Sequence, residues 1–136
     1  MKQKKKLIFI GRNRFLENGP IFPFFETSKN KNFDCTLITD KENLKYPCAN
    51  GNLFEDELKR KNLKFITVES PNEPRSVELM QSADFIFSVN CHWILKKELL
   101  QFVKKKIFNF HNSSLPEQQG AGCHSWRIMQ GIKTFH

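Results

Sequence analysis

The hydrophobic and polar positions of the chain form five short apolar runs separated by polar, turn-forming segments. The runs are Lys6–Ile10, Asp34–Thr39, Lys64–Val68, Ala83–Val89 and the residues that lead into Asn109. Each run has the length of a strand, and helical segments with short connections are predicted between successive runs. This alternation predicts an α/β fold, with a parallel, right-handed, Rossmann-like sheet that carries helices on both faces.

The helix predictions rest on apolar residues that would face the sheet. Between the second and third runs we expect a loop over Lys41–Asn52 and then a helix from about Leu53 that ends before Asn62.

Between the first and second runs, the phenylalanines of Phe15–Phe25 indicate a broken, core-facing helix or an aromatic lining, with core packing favoured. A last helix is predicted over His124–Gln130. The inward-facing residues predicted for the three middle helices are Leu53, Phe54 and Leu58, then Val77, Leu79 and Met80, and then Leu95, Leu99 and Phe102 of a helix over Ile94–Phe102.

The last apolar run ends in polar residues that cannot continue a strand, and these residues are the candidate site. Because strand side chains alternate, Asn109 and His111 share one face, whereas Phe108 and Phe110 share the other. In open α/β sheets, ligands bind beyond the carboxyl ends of the strands. We therefore predict that Asn109 and His111 end a buried, central strand and face one pocket.

A longer pattern begins at Asn109. Its matched positions are Asn109, His111, Ser113, Leu115, Pro116, Gly120, Trp126 and Gly131. In these residues the chain resembles the formyltransferases that use 10-formyltetrahydrofolate, whose signature is Asn-x-His-x-Ser-x-Leu-Pro-x-x-x-Gly followed by Trp and Gly. Ser88–Leu99 also resembles the family's segment before the catalytic strand, and the resemblance is strong from about Ala83 onward. Departures at Asn112, Ser114, Gln118, Gln119 and Cys123 bear on the substrate more than on the chemistry.

The resemblance implies a formyltransferase-type fold, catalytic residues Asn109 and His111, and 10-formyltetrahydrofolate as co-substrate. It places folate contacts at Phe87, Val89, Cys91, His92, Trp93, Ser113, Leu115 and Gly120. Residues 1–136 are expected to form one catalytic domain that is truncated at its C-terminus. In the family that the chain resembles, an Asp completes the catalytic trio, and it would fall about a dozen residues past His136.

Formyl transfer to an amine passes through an intermediate whose oxygen carries negative charge. A site therefore needs a donor aimed at that oxygen and a route for the amine proton. The Asn109 amide can donate, and His111 can donate or act as a charged stabiliser. Neither side chain accepts the amine proton well alone, which is the role that the resemblance gives to the Asp.

The formal net charge of +8 could favour phosphates, nucleic acid or an anionic membrane surface. The lysines gather in residues 2–6, 59–64 and 104–106, at chain ends and turns where lysine commonly solubilises a protein. Aromatic residues lie within the apolar runs instead of alternating with basic ones, so a nucleic-acid-binding module is disfavoured. The apolar run after the basic N-terminus is too short for a signal peptide or a membrane span.

The four cysteines, Cys35, Cys48, Cys91 and Cys123, show no Cys-x-x-Cys spacing. Reduced thiols in a cytoplasmic protein are therefore expected. A zinc site built from Cys91-His92, Cys123-His124 and His111 is disfavoured because it lacks a close ligand pair. Gly11 alone does not make a dinucleotide fingerprint, so NAD or FAD binding has little support.

The favoured acceptor is a primary amine on a small molecule, in particular a nucleotide-linked amino sugar. This choice rests on an overall resemblance to the sugar formyltransferases that includes Trp93-Ile94, and on the absence of a long basic insertion that would embrace tRNA. Methionyl-tRNA and glycinamide ribonucleotide remain alternative acceptors. A non-catalytic binding module and a homodimer also stay open.

Overall fold

The computed structural model describes residues 3–12, 21–89, 91–110 and 128–131. Five strands and five helices alternate over these residues, apart from two consecutive helices before the third strand. The strands are β1 Lys6–Gly11, β2 Asp34–Thr39, β3 Lys64–Thr67, β4 Phe85–Val89 and β5 Ile107–Phe110. The helices are α1 Ile21–Asn30, α2 Lys41–Leu44, α3 Phe54–Arg60, α4 Pro74–Gln81 and α5 Lys97–Val103.

The strands form one parallel sheet in the order β3-β2-β1-β4-β5, which confirms the predicted fold class. β1 lies in the middle of the sheet, and Leu7–Ile10 are buried. The strand order reverses between β1 and β4, and in doubly wound sheets ligands bind at such a switch point. Gly11 ends β1 with a φ of 151°, a conformation that residues with a side chain rarely adopt.

Two core layers cover the two faces of the sheet. On one face Phe9 packs with Phe25 of α1 and Phe54 of α3. On the other face Ile8 and Ile10 belong to a cluster with Met80 of α4 and Leu99 and Val103 of α5. Along β1, Leu7 and Phe9 face one core layer, whereas Ile8 and Ile10 face the other. Because both faces of the strand are apolar, both need helices to cover them, as predicted.

Two details predicted for residues 41–58 are wrong, although α3 begins at Phe54 and ends at Arg60, close to the predicted bounds. The predicted loop over Lys41–Asn52 contains the short helix α2, which forms because the Asp40 carboxylate accepts a hydrogen bond from the Asn43 N–H at 2.8 Å. Leu53 precedes α3, pairs with Pro47 in an isolated bridge and is 44% exposed. Phe54 and Leu58 are fully buried, as predicted.

The helix predicted over Ile94–Phe102 begins later, at Lys97. The Asn72 side chain holds the preceding loop, because its amide donates to the Ile94 carbonyl and its oxygen accepts from the Lys96 N–H. Ile94 is 85% exposed, and Phe102 is 54% exposed. Leu99 is buried as predicted, and Val103, four residues later, is buried in place of Phe102.

β5 lies at an edge of the described sheet, whereas the sequence predicted a buried, central strand. Among the described residues it pairs with β4 alone, and Phe108 and Phe110 are about half exposed. A short apolar run has the same pattern in a central strand and at a sheet edge, so the sequence could not separate them. The predicted helix over His124–Gln130 lies mostly outside the described residues. No helix in the described ranges is long and apolar enough to cross a membrane.

Candidate functional site

The candidate site begins where β4 and β5 end side by side. Ser88 of β4 stands directly opposite Asn109 of β5 in the parallel register. Both side chains point to the same face of the sheet and border a cavity of about 310 Å³. The residues that line this cavity are Ser88, Cys91, Trp93, Leu95, Leu100, Ile107 and Asn109. The cavity therefore combines an apolar wall with an amide, a hydroxyl and a thiol.

The far wall of this cavity is the loop that follows β4, and hydrogen bonds hold it in place. The Trp93 indole N–H donates to the Glu69 carbonyl at 3.1 Å. The Asn72 side chain bonds to the Ile94 carbonyl at 3.0 Å and to the Lys96 N–H at 2.9 Å. The loop is therefore tied to the turn after β3 at Trp93, Ile94 and Lys96, which preorganises the wall before any ligand binds.

Cys91 lines the cavity, but its thiol is a poor nucleophile. Its Sγ lies 3.7 Å from the Trp93 carbonyl oxygen, to which it donates. Burial raises the pKa of the Cys91 thiol above its usual value, and the hydrogen bonds to Trp93 and Ser88 only partly offset this effect. A thiol of this kind is protonated at neutral pH, so it packs and donates weakly instead of acting as a nucleophile.

His92 lies beside the cavity wall. Its ring packs on the indole of Trp93 with ring centroids 4.4 Å apart. Its Nε2 lies 3.9 Å from Oδ2 of Asp40, which also accepts a hydrogen bond from Arg12 Nε at 2.7 Å. The sequence analysis missed Asp40 and Arg12. Their signal was available, because Arg12 follows β1 and Asp40 follows β2, and residues after parallel strands gather at one edge of the sheet.

The structure brings only some of the predicted site residues to this cavity. Asn109, Cys91 and Trp93 line it, and His92 stands behind Trp93. The side chains of Phe87 and Val89 instead pack in the core layer on the other face of the sheet. Contact between these two residues and a ligand in the cavity would have to involve their backbone, and their role in folate binding stays a prediction.

The remaining predicted site residues, His111, Ser113, Leu115 and Gly120, lie outside the described residues. The expected alternation is confirmed up to the end of β5, because Phe108 and Phe110 pack against Phe87 on the face away from the cavity. Asn109 therefore faces the cavity while its neighbours face the aromatic layer. Whether His111 joins Asn109 stays a prediction.

The cavity can hydrogen-bond a polar ligand, but its described lining holds neither a carboxylate nor an imidazole. In the described ranges, no three His, Cys, Asp or Glu side chains form a group that could hold a metal ion. His111, Cys123 and His124 of the disfavoured zinc site lie outside those ranges.

Comparison with known proteins gives one family. The family model described as formyl transferase matches residues 11–135. A methionyl-tRNA formyltransferase from Finegoldia magna is 27% identical over 137 aligned positions, covering 96% of this chain and 42% of the relative. The chain thus spans about two fifths of the length of this curated relative.

Solved structures share the fold at low sequence identity. Phosphoribosylglycinamide formyltransferase from Anaplasma phagocytophilum has a TM-score of 0.68 at 14% sequence identity. The similar region covers 98% of this chain and 62% of the chain of that enzyme. A formyltetrahydrofolate deformylase from Pseudomonas syringae pv. tomato has a TM-score of 0.70 at 16% sequence identity. The similar region covers 98% of this chain and 44% of the chain of the deformylase. Both similarities cover nearly all of this chain and show that the fold is shared.

Proposed function

Because this chain belongs to the formyl transferase family, we propose that residues 1–136 supply catalytic-domain residues to an enzyme that moves a formyl group from 10-formyltetrahydrofolate to a primary amine. The observation that carries this proposal is the placement of Asn109 at the rim of an apolar cavity, at the carboxyl ends of two adjacent parallel strands. This is the position at which open α/β sheets bind their ligands.

The size and lining of the cavity support binding of a folate. Small-molecule pockets are mostly apolar with a few well-placed polar groups, and their volumes start at about 300 Å³. Trp93, Leu95 and Ile107 offer apolar contact to a flat ring, while Ser88 and Asn109 offer hydrogen bonds. When bound, the co-substrate supplies the formyl group. The family resemblance adds Ser113, Leu115 and Gly120 as further folate contacts.

In this mechanism Asn109 acts as a fixed hydrogen-bond donor. Its amide N–H can donate to an oxygen held at the cavity rim, and the β4–β5 pairing fixes the backbone that carries it. Trp93, Leu95 and Leu100 exclude water from that side, which strengthens the hydrogen bond. His111 is proposed as the second donor, and a carboxylate elsewhere in the protein as the proton acceptor.

For the acceptor we propose a small-molecule amine, in particular a nucleotide-linked amino sugar, in a cytoplasmic enzyme. The resemblance of the Trp93-Ile94 segment to the sugar formyltransferases supports this choice. A second acceptor, methionyl-tRNA, is favoured by the match to the Finegoldia magna enzyme. The net charge of +8 would suit either phosphate-bearing acceptor.

The first test is calorimetry with a stable 10-formyltetrahydrofolate analogue and the protein made from the complete reading frame that contains this sequence. We expect one site, with affinity lost when Trp93 is replaced by Ala. Asn30→Ala, at the exposed end of α1, is the control and should bind as the unmodified protein does. Failure of the unmodified protein to bind the analogue would remove the co-substrate from the proposal.

The second test is a formyl-transfer assay on three acceptors, namely amino-sugar nucleotides, methionyl-tRNA and glycinamide ribonucleotide. Transfer to the sugar nucleotide should exceed transfer to the other two. His111→Ala should lower turnover about a hundred- to a thousandfold, the usual cost of removing one oxyanion donor. Release of free formate without transfer to any acceptor would show a deformylase instead.

A further inference from the structure

A charged cluster links the ends of three neighbouring strands. Arg12 follows β1, Asp40 follows β2 and His92 follows β4, and these strands are adjacent in the order β2-β1-β4. Oδ2 of Asp40 accepts a hydrogen bond from Arg12 Nε at 2.7 Å and lies 3.9 Å from His92 Nε2. The Asp40 side chain is only 12% exposed. One carboxylate oxygen of Asp40 therefore contacts both the Arg12 guanidinium and the His92 imidazole.

The cluster continues into the cavity wall. The ring of His92 packs on the indole of Trp93, with an interplanar angle of 36°. The indole N–H bonds to the Glu69 carbonyl, and the ring lines the cavity that Asn109 borders. The contacts thus run from Arg12 through Asp40 and His92 to Trp93.

We propose that Asp40 is a positioning residue for the candidate site: its carboxylate, held by Arg12, fixes the imidazole of His92 and thereby the indole of Trp93 that forms the cavity wall. This inference rests on the proposed function, since it assigns Asp40 a role in binding the co-substrate. Asp40 itself does not line the cavity and needs no contact with the substrate.

Asp40 has the ionisation state that this role requires. Burial raises the pKa of the Asp40 carboxyl, but the hydrogen bonds from Arg12 and the Asn43 N–H, with the charges of Arg12 and His92, outweigh burial and lower it. The carboxylate is therefore charged at neutral pH. The charged carboxylate can therefore attract His92 Nε2 when the imidazole is protonated.

A purely structural role for Asp40 is the competing explanation, because its other oxygen caps α2. Oδ1 accepts from the Asn43 N–H at 2.8 Å, and this bond does not need a negative charge. Asp40→Asn keeps an oxygen for the cap but removes the charge that faces Arg12 and His92. Asp34→Asn is the matched control, because Asp34 starts β2 and pairs with Lys64 at 2.5 Å at the opposite end of the sheet.

The first readout is a histidine NMR titration without ligand, with the His92 signal assigned from His92→Gln. In Asp40→Asn the midpoint of the His92 titration should fall by about half a pH unit or more, because the opposite charge is lost. In Asp34→Asn it should not move. An unchanged midpoint in Asp40→Asn overturns the proposed charge contact.

The second readout is the affinity for the stable 10-formyltetrahydrofolate analogue. Asp40→Asn should weaken binding about three- to tenfold, the loss expected when one ordered side chain becomes mobile. Asp34→Asn should bind as the unmodified protein does. His92→Gln, which leaves the Arg12–Asp40 pair in place, should show the same loss and replaces Asp40→Asn if that variant does not fold.

The two readouts separate the two proposals. A shifted His92 midpoint with unchanged affinity in both Asp40→Asn and His92→Gln would refute the positioning role. An unmodified protein that binds no analogue, yet shows the midpoint shift in Asp40→Asn, would refute the proposed function while leaving the charge contact intact.

Discussion

Ser88 and Asn109 are paired residues of two adjacent parallel strands, and their side chains border the same cavity. Ser88 is almost fully buried, whereas Asn109 is exposed at the rim. The inner residue therefore shapes the floor of the cavity, and the outer one can meet a ligand. This relationship makes Asn109 the best-placed described residue for chemistry.

Asn109→Ala should abolish most formyl transfer without loss of stability. The exposed amide contributes little to packing, but removal of one preorganised donor typically costs about a hundred- to a thousandfold in turnover. Turnover and thermal unfolding should be measured together, with the exposed Asn30→Ala as control. An Asn109→Ala variant that keeps full turnover would contradict the assigned role.

The double variant Asn109→Ala/His111→Ala should lose less turnover than the product of the two single losses, since both donors act on one charge.

Alkylation of Cys91 should report whether the ligand occupies this cavity. The stable folate analogue at ten times its dissociation constant should slow alkylation about tenfold, if the occupied cavity excludes the reagent. Cys35 and Cys48 are buried in the other core layer and serve as internal references. Mass spectrometry of the labelled peptides measures each rate. Equal protection of Cys35, Cys48 and Cys91 would indicate a general change in stability instead of occupancy.

The aromatic core beside β1 should be the most sensitive part of the fold. Phe9 is fully buried and contacts the rings of Phe25 and Phe87 at centroid distances of 5.2 and 5.5 Å. Phe9→Ala should lower the free energy of unfolding by about 3–5 kcal/mol. Phe102→Ala, at a 54% exposed position, should change it by about 0.5 kcal/mol or less. Urea unfolding of the two variants checks the difference, and equal losses would contradict the assigned core.

Much of this fold could be predicted from the sequence, because strands buried on both faces leave continuous apolar runs. The described residues form a strand at each of the five predicted runs, although β5 is mostly exposed. Helix ends could not be predicted as well. α5 begins at Lys97 because the Asn72 side chain holds Lys96 in the preceding loop. Asn72 and Lys96 are 24 residues apart, so a pattern of neighbouring residues could not predict this contact.

The site was only partly predictable for a related reason. Alternation along β5 correctly separated Asn109 from Phe108 and Phe110. Asp40 carried no motif, and its position directly after a strand was its one signal in the sequence; the sheet order then places it near Arg12 and His92. Long-range partners of this kind follow from topology, which a single pattern along the chain does not give.

A buried carboxylate in α3 offers a test of acid stability. The Glu57 side chain is 4% exposed and accepts hydrogen bonds from Arg60 at 2.7 Å and from Asn52 at 2.8 Å. The hydrogen bonds from Arg60, then from Asn52, lower the pKa of Glu57 from 4.5 to about 2, against the opposing effect of burial. The folded protein therefore holds this group charged where the unfolded chain would protonate it.

The sign of the resulting pH dependence is fixed by this lowered pKa. The stability that Glu57 contributes is fully present above pH 4.5 and is lost as the pH falls toward about 2. Glu57→Gln should remove this contribution, lowering the free energy of unfolding at pH 7 by about 1.5–3 kcal/mol and flattening its fall between pH 5 and 2. Glu55→Gln, which breaks an exposed pair with Lys59 on the same helix, is the control and should retain the slope. Thermal unfolding of the three proteins across this pH range measures the effect, and an unchanged slope in Glu57→Gln would show that another carboxylate governs acid unfolding.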